Sequence, residues 1–185
     1  MMDYEYKAGK YLLLWGGIDV NPALYEQKPY KYTQKPNLKR DMEEVAAFTA
    51  AVKEGIPIIG VCRGAQLTCV MNGGALWQHS LHHNTSHGLV TPLGNTIPNC
   101  DAGHHQIMDL RGTKDFSVLA FAPFPTPVWN DKEDTVLIEA PEIVYFPKTR
   151  SLAIQPHPEW AQKTSPFRIY IDQLVKNLFN LEGVF

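Results

Sequence analysis

The chain has 185 residues, 44% of them hydrophobic and 11% aromatic, and a formal net charge of −2. These values suit one domain with a sizeable core and exclude a largely disordered polymer. They also provide no basic field for nucleic acid or an anionic membrane. No apolar run is long enough to span a bilayer, and the opening "MMDYEYKAGKYLLLWGG" lacks the apolar core and cleavage site of a signal peptide. Cys62, Cys69 and Cys100 stand at unrelated spacings, which argues against a disulfide framework and points to a reducing cytoplasm.

The first predicted element is a buried strand, "YLLLW" over 11–15, stopped by Gly16-Gly17. Residues 18–37 hold three prolines and no periodicity and read as loop. "LKRDMEEVAAFTAAVKEG" predicts a helix whose apolar stripe is Leu38, Met42, Val45, Phe48 and Val52, ended by Gly55. "IPIIGV" follows as a second buried strand, and "GAQLTCVMNGG" as a short helix. Strand, helix, strand, helix in that order favours an α/β fold: a mostly parallel central sheet with helices on both faces. The middle, 75–130, gives only weak strand signals. "TVLIEA", "IVYFP" and "LAIQP" then read as short strands at hairpin spacing, a small antiparallel β segment. "SPFRIYIDQLVKNLFN" closes the series as a helix capped by Ser165, with Phe167, Ile171, Leu174 and Leu178 as its stripe. With no repeats or linkers, residues 1–185 are expected to form a single domain.

In "GVCRG", Cys62 ends a strand and precedes a helix, with Gly60 and Gly64 two positions to either side. Such a sharp turn needs glycines where backbone segments approach closely. The helix N-terminus favours thiolate, and the Arg63 amide would face an oxyanion forming on a carbonyl attacked by Cys62. Taken alone, the motif also fits a buried cysteine beside a helix. Downstream, "LAIQPHPEW" places His157 between two prolines, with Glu159 two residues on along an extended segment. A cysteine, a histidine base and a carboxylate that orients it form a thiol triad.

These stretches resemble the class I glutamine amidotransferase superfamily, and more narrowly its γ-glutamyl-γ-aminobutyrate hydrolase branch. The resemblance rests on "GVCRGAQL", "GHHQIMDL" and "QPHPEW", and on "LLLWGGIDVNPALY" through Gly16, Gly17, Asp19, Pro22 and Tyr25. "KRDMEE", through Arg40 and Asp41, and "GGALWQH" add to it. It implies a flavodoxin-like fold, Cys62 as nucleophile, His157 as base and Glu159 as its orienter. Gly16 or Gly17 would supply one oxyanion-hole amide and Arg63 the other. Gln66 would contact the glutamyl group, and His104, His105 and Gln106 would line the same pocket.

The implied activity is cleavage of a γ-glutamyl amide through a γ-glutamyl thioester, with a small γ-glutamyl compound or glutamine as substrate. The alternatives are a glutaminase subunit feeding a separate synthetase, and a catalytically silent binding protein. Ten residues precede the strand that leads into the double glycine, where the family has a further strand-helix-strand unit. The sheet is therefore expected to be narrower at that edge, or covered there by a partner chain such as a second copy in a homodimer. Trp15 and Ile18 also depart from the family pattern.

No cofactor and no metal is expected. His79, His82, His83 and His87 could be metal ligands. However, "QHSLHHNTSHG" has no helical stripe and no nearby Cys or paired carboxylate, so it reads as a polar loop near the site. Cys69 reads as core filler, Trp77 and Trp129 as packing, and the tyrosine-rich loop 25–32 as a lid or wall over the site.

Overall fold

The computed structural model describes residues 4–7, 9–132 and 135–185. In chain order the elements are β1 (Tyr4–Lys7), β2 (Tyr11–Leu14), α1 (Leu38–Glu54), β3 (Ile58–Val61), α2 (Arg63–Met71), β4 (Ala75–Trp77) and β5 (His79–Ser80). Then come β6 (His87–Val90), β7 (Thr96–Cys100), β8 (Ile107–Asp109), β9 (Ser117–Trp129), β10 (Val136–Phe146), β11 (Ser151–Ile154) and α3 (Pro166–Phe179). The large sheet runs β1-β2-β3-β11-β10-β9-β6-β7, with β5 also on β9; β4 and β8 pair separately.

The parallel centre is β2, β3 and β11, with Leu14 opposite Gly60 and Ile154 opposite Val61. It is buried on both faces, which is why its strands read as unbroken apolar runs. Leu12, Leu14 and Ile58 pack with Phe48 and Ala51 of α1 and Leu67 and Val70 of α2. Leu13, Ile59, Val61 and Ile154 pack on the other face with Phe167, Ile171, Val175 and Phe179 of α3. This is the expected α/β arrangement, with helices on both faces.

The antiparallel part is larger than the sequence suggests, because β9 carries Pro123, Pro125 and Pro127, residues that normally argue against a strand. It is held to β10 through pairs such as Thr126–Ile138 and Val128–Val136. At the opposite edge β1 pairs antiparallel with β2, so this chain itself supplies a strand there.

Both capping assignments hold. The Ser165 side chain accepts from the Arg168 amide, and Gly55 ends α1 at φ 67°. The α1 stripe needs correction. Leu38, Met42 and Val52 are exposed, and the helix buries Arg40, Asp41, Glu44, Phe48 and Ala51 instead. Its inward face is charged because a buried arginine waits there.

Candidate active site

Cys62 sits between β3 and α2 with φ 52° and ψ −108°, a backbone conformation rarely adopted by a residue with a side chain. The turn is fixed from three sides. Its amide donates to the Ile154 carbonyl at 2.8 Å, tying it to the end of β11. A Cβ at Gly64 would overlap the Leu14 carbonyl, and one at Gly60 would overlap the Gly64 carbonyl, so neither position admits a side chain.

The His157 imidazole reaches Glu159 Oε1 through Nδ1 at 2.7 Å, which leaves Nε2 for a proton from elsewhere. This contact crosses a turn rather than running along an extended segment: the Trp160 amide donates back to the His157 carbonyl at 3.2 Å. Trp160 therefore stacks on the imidazole, with ring centroids 3.6 Å apart and planes 5° from parallel. Cys62 and His157 converge on Gly16. A methyl there would lie 2.9 Å from His157 Cε1 and 3.5 Å from Cys62 Cβ.

Burial pushes the Cys62 thiol up to about 12, and the carboxylates of Glu159, Asp19 and Glu142 add to the rise. The Arg63 amide pulls the other way. Desolvation thus works against the thiolate that the helix N-terminus was expected to favour, and the Arg63 amide offsets it only in part.

The Gly16-Gly17 turn is gripped by Arg40, whose guanidinium donates to the Trp15 carbonyl at 2.9 Å and the Gly16 carbonyl at 3.0 Å. A side chain at Gly17 would overlap that guanidinium. Arg40 Nε donates to Glu44 at 2.8 Å, and the fully buried Arg63 guanidinium donates to both Glu44 and Asp41. One ion network therefore joins the double-glycine turn, the inward face of α1 and the residue after Cys62.

Asp19 is a second hub that the sequence signals do not single out for a role. It accepts from His105 Nε2 at 3.0 Å, Gln106 Nε2 at 3.0 Å and the Gln34 amide at 2.8 Å. Gln106 is fully buried and its amide also reaches the Gln78 carbonyl at 3.5 Å. Gln66 is buried too, donating to the Gln106 carbonyl at 3.3 Å. Of the residues expected to meet a glutamyl group, only His105 is part-exposed. His104 departs from the expectation. It faces Glu142 at 3.4 Å, together with His83 and His87, which are not a polar loop but part of a buried cluster. His82 stays exposed.

The tyrosine loop is pinned rather than free. Gln78 accepts from the Tyr30 amide and the Thr33 hydroxyl, and donates to Gln27 and the Lys28 carbonyl. Tyr32, His79 and Trp129 pack in series with rings tilted by 39°, the His79 centroid lying 4.4 Å from Tyr32 and 5.4 Å from Trp129, and His105 lies 5.9 Å away. Cys69 is fully buried in a core cluster. A cavity of about 300 Å³ beside Trp77, Arg111 and Phe121 lies elsewhere and is lined by neither Cys62, His157 nor Glu159.

A parallel three-strand centre carrying a cysteine elbow, with a paired histidine at the end of the adjoining strand, defines the class I glutamine amidotransferase fold. A crystal structure described as that of a GMP synthase component from Thermoplasma acidophilum shares it. That comparison has a TM-score of 0.53 and 17% identity, and covers 87% of this chain and 70% of that one. The Peptidase C26 family model matches residues 8–113, more than half of the chain. The glutamine amidotransferase-like protein YvdE of Lactococcus lactis subsp. lactis is 31% identical over 181 residues, 90% of this chain and 72% of that one. NtpR of Enterococcus hirae is 45% identical over 67 residues, 36% of this chain and 28% of NtpR. The chain belongs to the Peptidase C26 family, and so to the class I glutamine amidotransferase-like superfamily. It spans less than half the length of five of the curated relatives it matches. No helix among the described residues is long and apolar enough to cross a membrane.

Proposed function

We propose that the protein is a cysteine hydrolase that cleaves the amide at the γ-carbonyl of a glutamyl group through a γ-glutamyl thioester. The observation that carries this reading is the convergence of Cys62 and the His157–Glu159 pair on Gly16. The resting thiol keeps its proton until a substrate is seated. His157 Nε2 then takes that proton as sulfur bonds to the γ-carbon. The oxyanion faces the Arg63 amide and an amide of the Gly16-Gly17 turn. His157 returns its proton to the departing amine, and afterwards draws a proton from the water that releases glutamate. Glu159 holds the Nδ1 proton throughout and steadies the imidazolium.

Gln66 and Gln106 spend their amide donors inside the protein, so their role in this reading is to hold the wall that presents His105. The aromatic series Tyr32, His79 and Trp129 beside His105 gives room and stacking surface for an amine larger than ammonia. The test is glutamate release by the purified protein from a panel of γ-glutamyl amides and glutamine, with intact-mass detection of Cys62 labelled by a glutamine-mimicking electrophile. Hydrolysis of small-amine derivatives at least as fast as glutamine is expected. Activity confined to glutamine, or appearing only with a second protein, would favour a role in supplying ammonia to a synthetase, a reading that the names of several relatives raise. Silence on every substrate with Cys62 unlabelled would favour a binding protein.

A further inference from the structure

Glu142 stands in the middle of β10 with no exposed surface, and three histidines from separate stretches of chain close on it. His83 presents Nδ1 to Glu142 Oε1 at 2.9 Å, His87 presents Nε2 to the same oxygen at 3.6 Å, and His104 presents Nε2 to Oε2 at 3.4 Å. The side chains of His83, His87 and His104 are 0%, 7% and 1% exposed.

What each imidazole does on its other side decides the chemistry. His87 Nδ1 lies 3.1 Å from the Thr85 carbonyl and His104 Nδ1 lies 3.0 Å from the Gln106 carbonyl. A carbonyl only accepts, so both rings carry their proton on Nδ1. His83 Nε2 lies 3.0 Å from the Thr126 hydroxyl, whose own proton is directed to the Phe124 carbonyl at 3.5 Å. That hydroxyl accepts from Nε2, so the His83 proton sits there. In the neutral tautomers so fixed, three nitrogen lone pairs point at a carboxylate: acceptors face acceptors, out of water. Among the described residues, none of His83 Nδ1, His87 Nε2, His104 Nε2 or either Glu142 oxygen makes a regular hydrogen bond. Something positive belongs between them.

We propose that His83, His87, His104 and Glu142 are a tetrahedral binding site for a divalent transition-metal ion, zinc foremost. One ligand atom from each residue already lies within 4.8 Å of the other three. Zinc bonds of about 2.0–2.1 Å would draw them to edges of about 3.3 Å. Imidazole nitrogens select zinc, copper or nickel over magnesium or calcium. The outer contacts to Thr85, Gln106 and Thr126 are of the kind that orient metal-bound histidines. Four protein ligands leave no open position, so the site is structural. It fastens the start of β6 and the segment carrying His105 and Gln106 onto β10, where the Glu142 carbonyl also accepts from the Gln155 amide at 2.8 Å. The sequence shows only half of the signal. His83 and His87 are four apart, but their partners lie 17 and 55 residues further on from His87.

The test is metal analysis of the full chain purified without a chelating column, then titration of EDTA-treated protein with zinc chloride and with cobalt chloride. About one zinc per chain, tetrahedral cobalt absorption bands and a Tm lowered by EDTA and restored by zinc are expected. Cys62→Ala should keep all three, and His87→Ala should lose them. Glu142→Gln should behave like His87→Ala where it folds, and the partly exposed His87 position keeps the test independent of that outcome. A wild-type chain that takes up neither ion would overturn the proposal, leaving the cluster held by protons alone. Zinc retained by His87→Ala would overturn it too, since the ion would then sit elsewhere, at Cys62 if Cys62→Ala abolishes it.

Discussion

The backbone of Cys62 is held in a region that costs a side-chain-bearing residue about 1–3 kcal/mol, and burial pushes its thiol up. The second fact bears on pH. The thiol of the unfolded chain ionises near 9.0, and that of the folded chain is pushed up to about 12. Below the first value both states hold the proton and nothing is lost. Between the two the unfolded chain releases it and the folded one does not, so stability falls as pH rises. Urea unfolding of wild type and Cys62→Ala should therefore diverge from about pH 9 upward, the wild type losing about 1 kcal/mol relative to the variant by about pH 10. Parallel curves through that range would show that the sulfur is less desolvated than its surroundings indicate. Iodoacetamide, which needs a preformed thiolate, should label Cys62 slowly at neutral pH.

His157 moves a proton in this scheme and Glu159 only orients it. His157→Ala is expected to lower kcat/KM by several powers of ten, and Glu159→Gln by less, with the Trp160 stack still holding the ring. Steady-state kinetics on the best substrate of the panel would decide, and an equal or larger loss at Glu159 would reverse the assignment.

At the scale of elements, α1 shows what a hydrophobic pattern conceals. Its boundaries, Asn37 cap and Gly55 stop follow from local chemistry, since the Asn37 side chain accepts from the Arg40 amide at 3.2 Å. Its inward face does not, because Leu38 and Met42 look like core while Arg40, Asp41 and Glu44 look like surface. What reverses this is Arg63, brought under the helix by the elbow and needing two carboxylates to be buried at all. Glu44→Ala strips a partner from both Arg40 and Arg63, and by urea unfolding should cost about 3–5 kcal/mol. A loss below about 1 kcal/mol would mean that water enters and solvates the guanidinium.

The same contrast explains which parts of the site were legible. Gly60, Cys62, Gly64, His157 and Glu159 are neighbours in sequence or sit at strand ends, so spacing exposes them. Asp19 with Gln106, and Glu142 with three histidines, are assembled by long connections through a region whose strands are short or proline-bearing. No local period encodes those meetings, and Trp160 meets His157 only because the chain turns where an extended segment was expected.

For the molecule as a whole, the sheet has a parallel centre sealed by helices and a long antiparallel wing in which β9 is the hinge of contacts. Its pairing with β6 is at Phe121 and that with β5 is at Val128 and Trp129, which leaves the intervening rim without a ladder partner among the described residues. Pro123, Pro125 and Pro127 fall in that interval, every second residue. Pro127 turns its carbonyl to the Leu81 amide, away from β10, so its ring nitrogen points to the same outer side. With the Pro127 carbonyl already taken by Leu81, the rest of the rim offers carbonyls but, at alternate positions, no N–H groups to an incoming strand. A stretch that would otherwise invite a neighbouring molecule to extend the sheet is chemically shut against strand exchange and fibre growth. Replacing Pro125 and Pro127 together by valine should keep the fold yet bring on concentration-dependent association, visible as a mass in light scattering that rises above that of the wild type. An unchanged mass at high concentration would show that side chains rather than missing donors guard this edge.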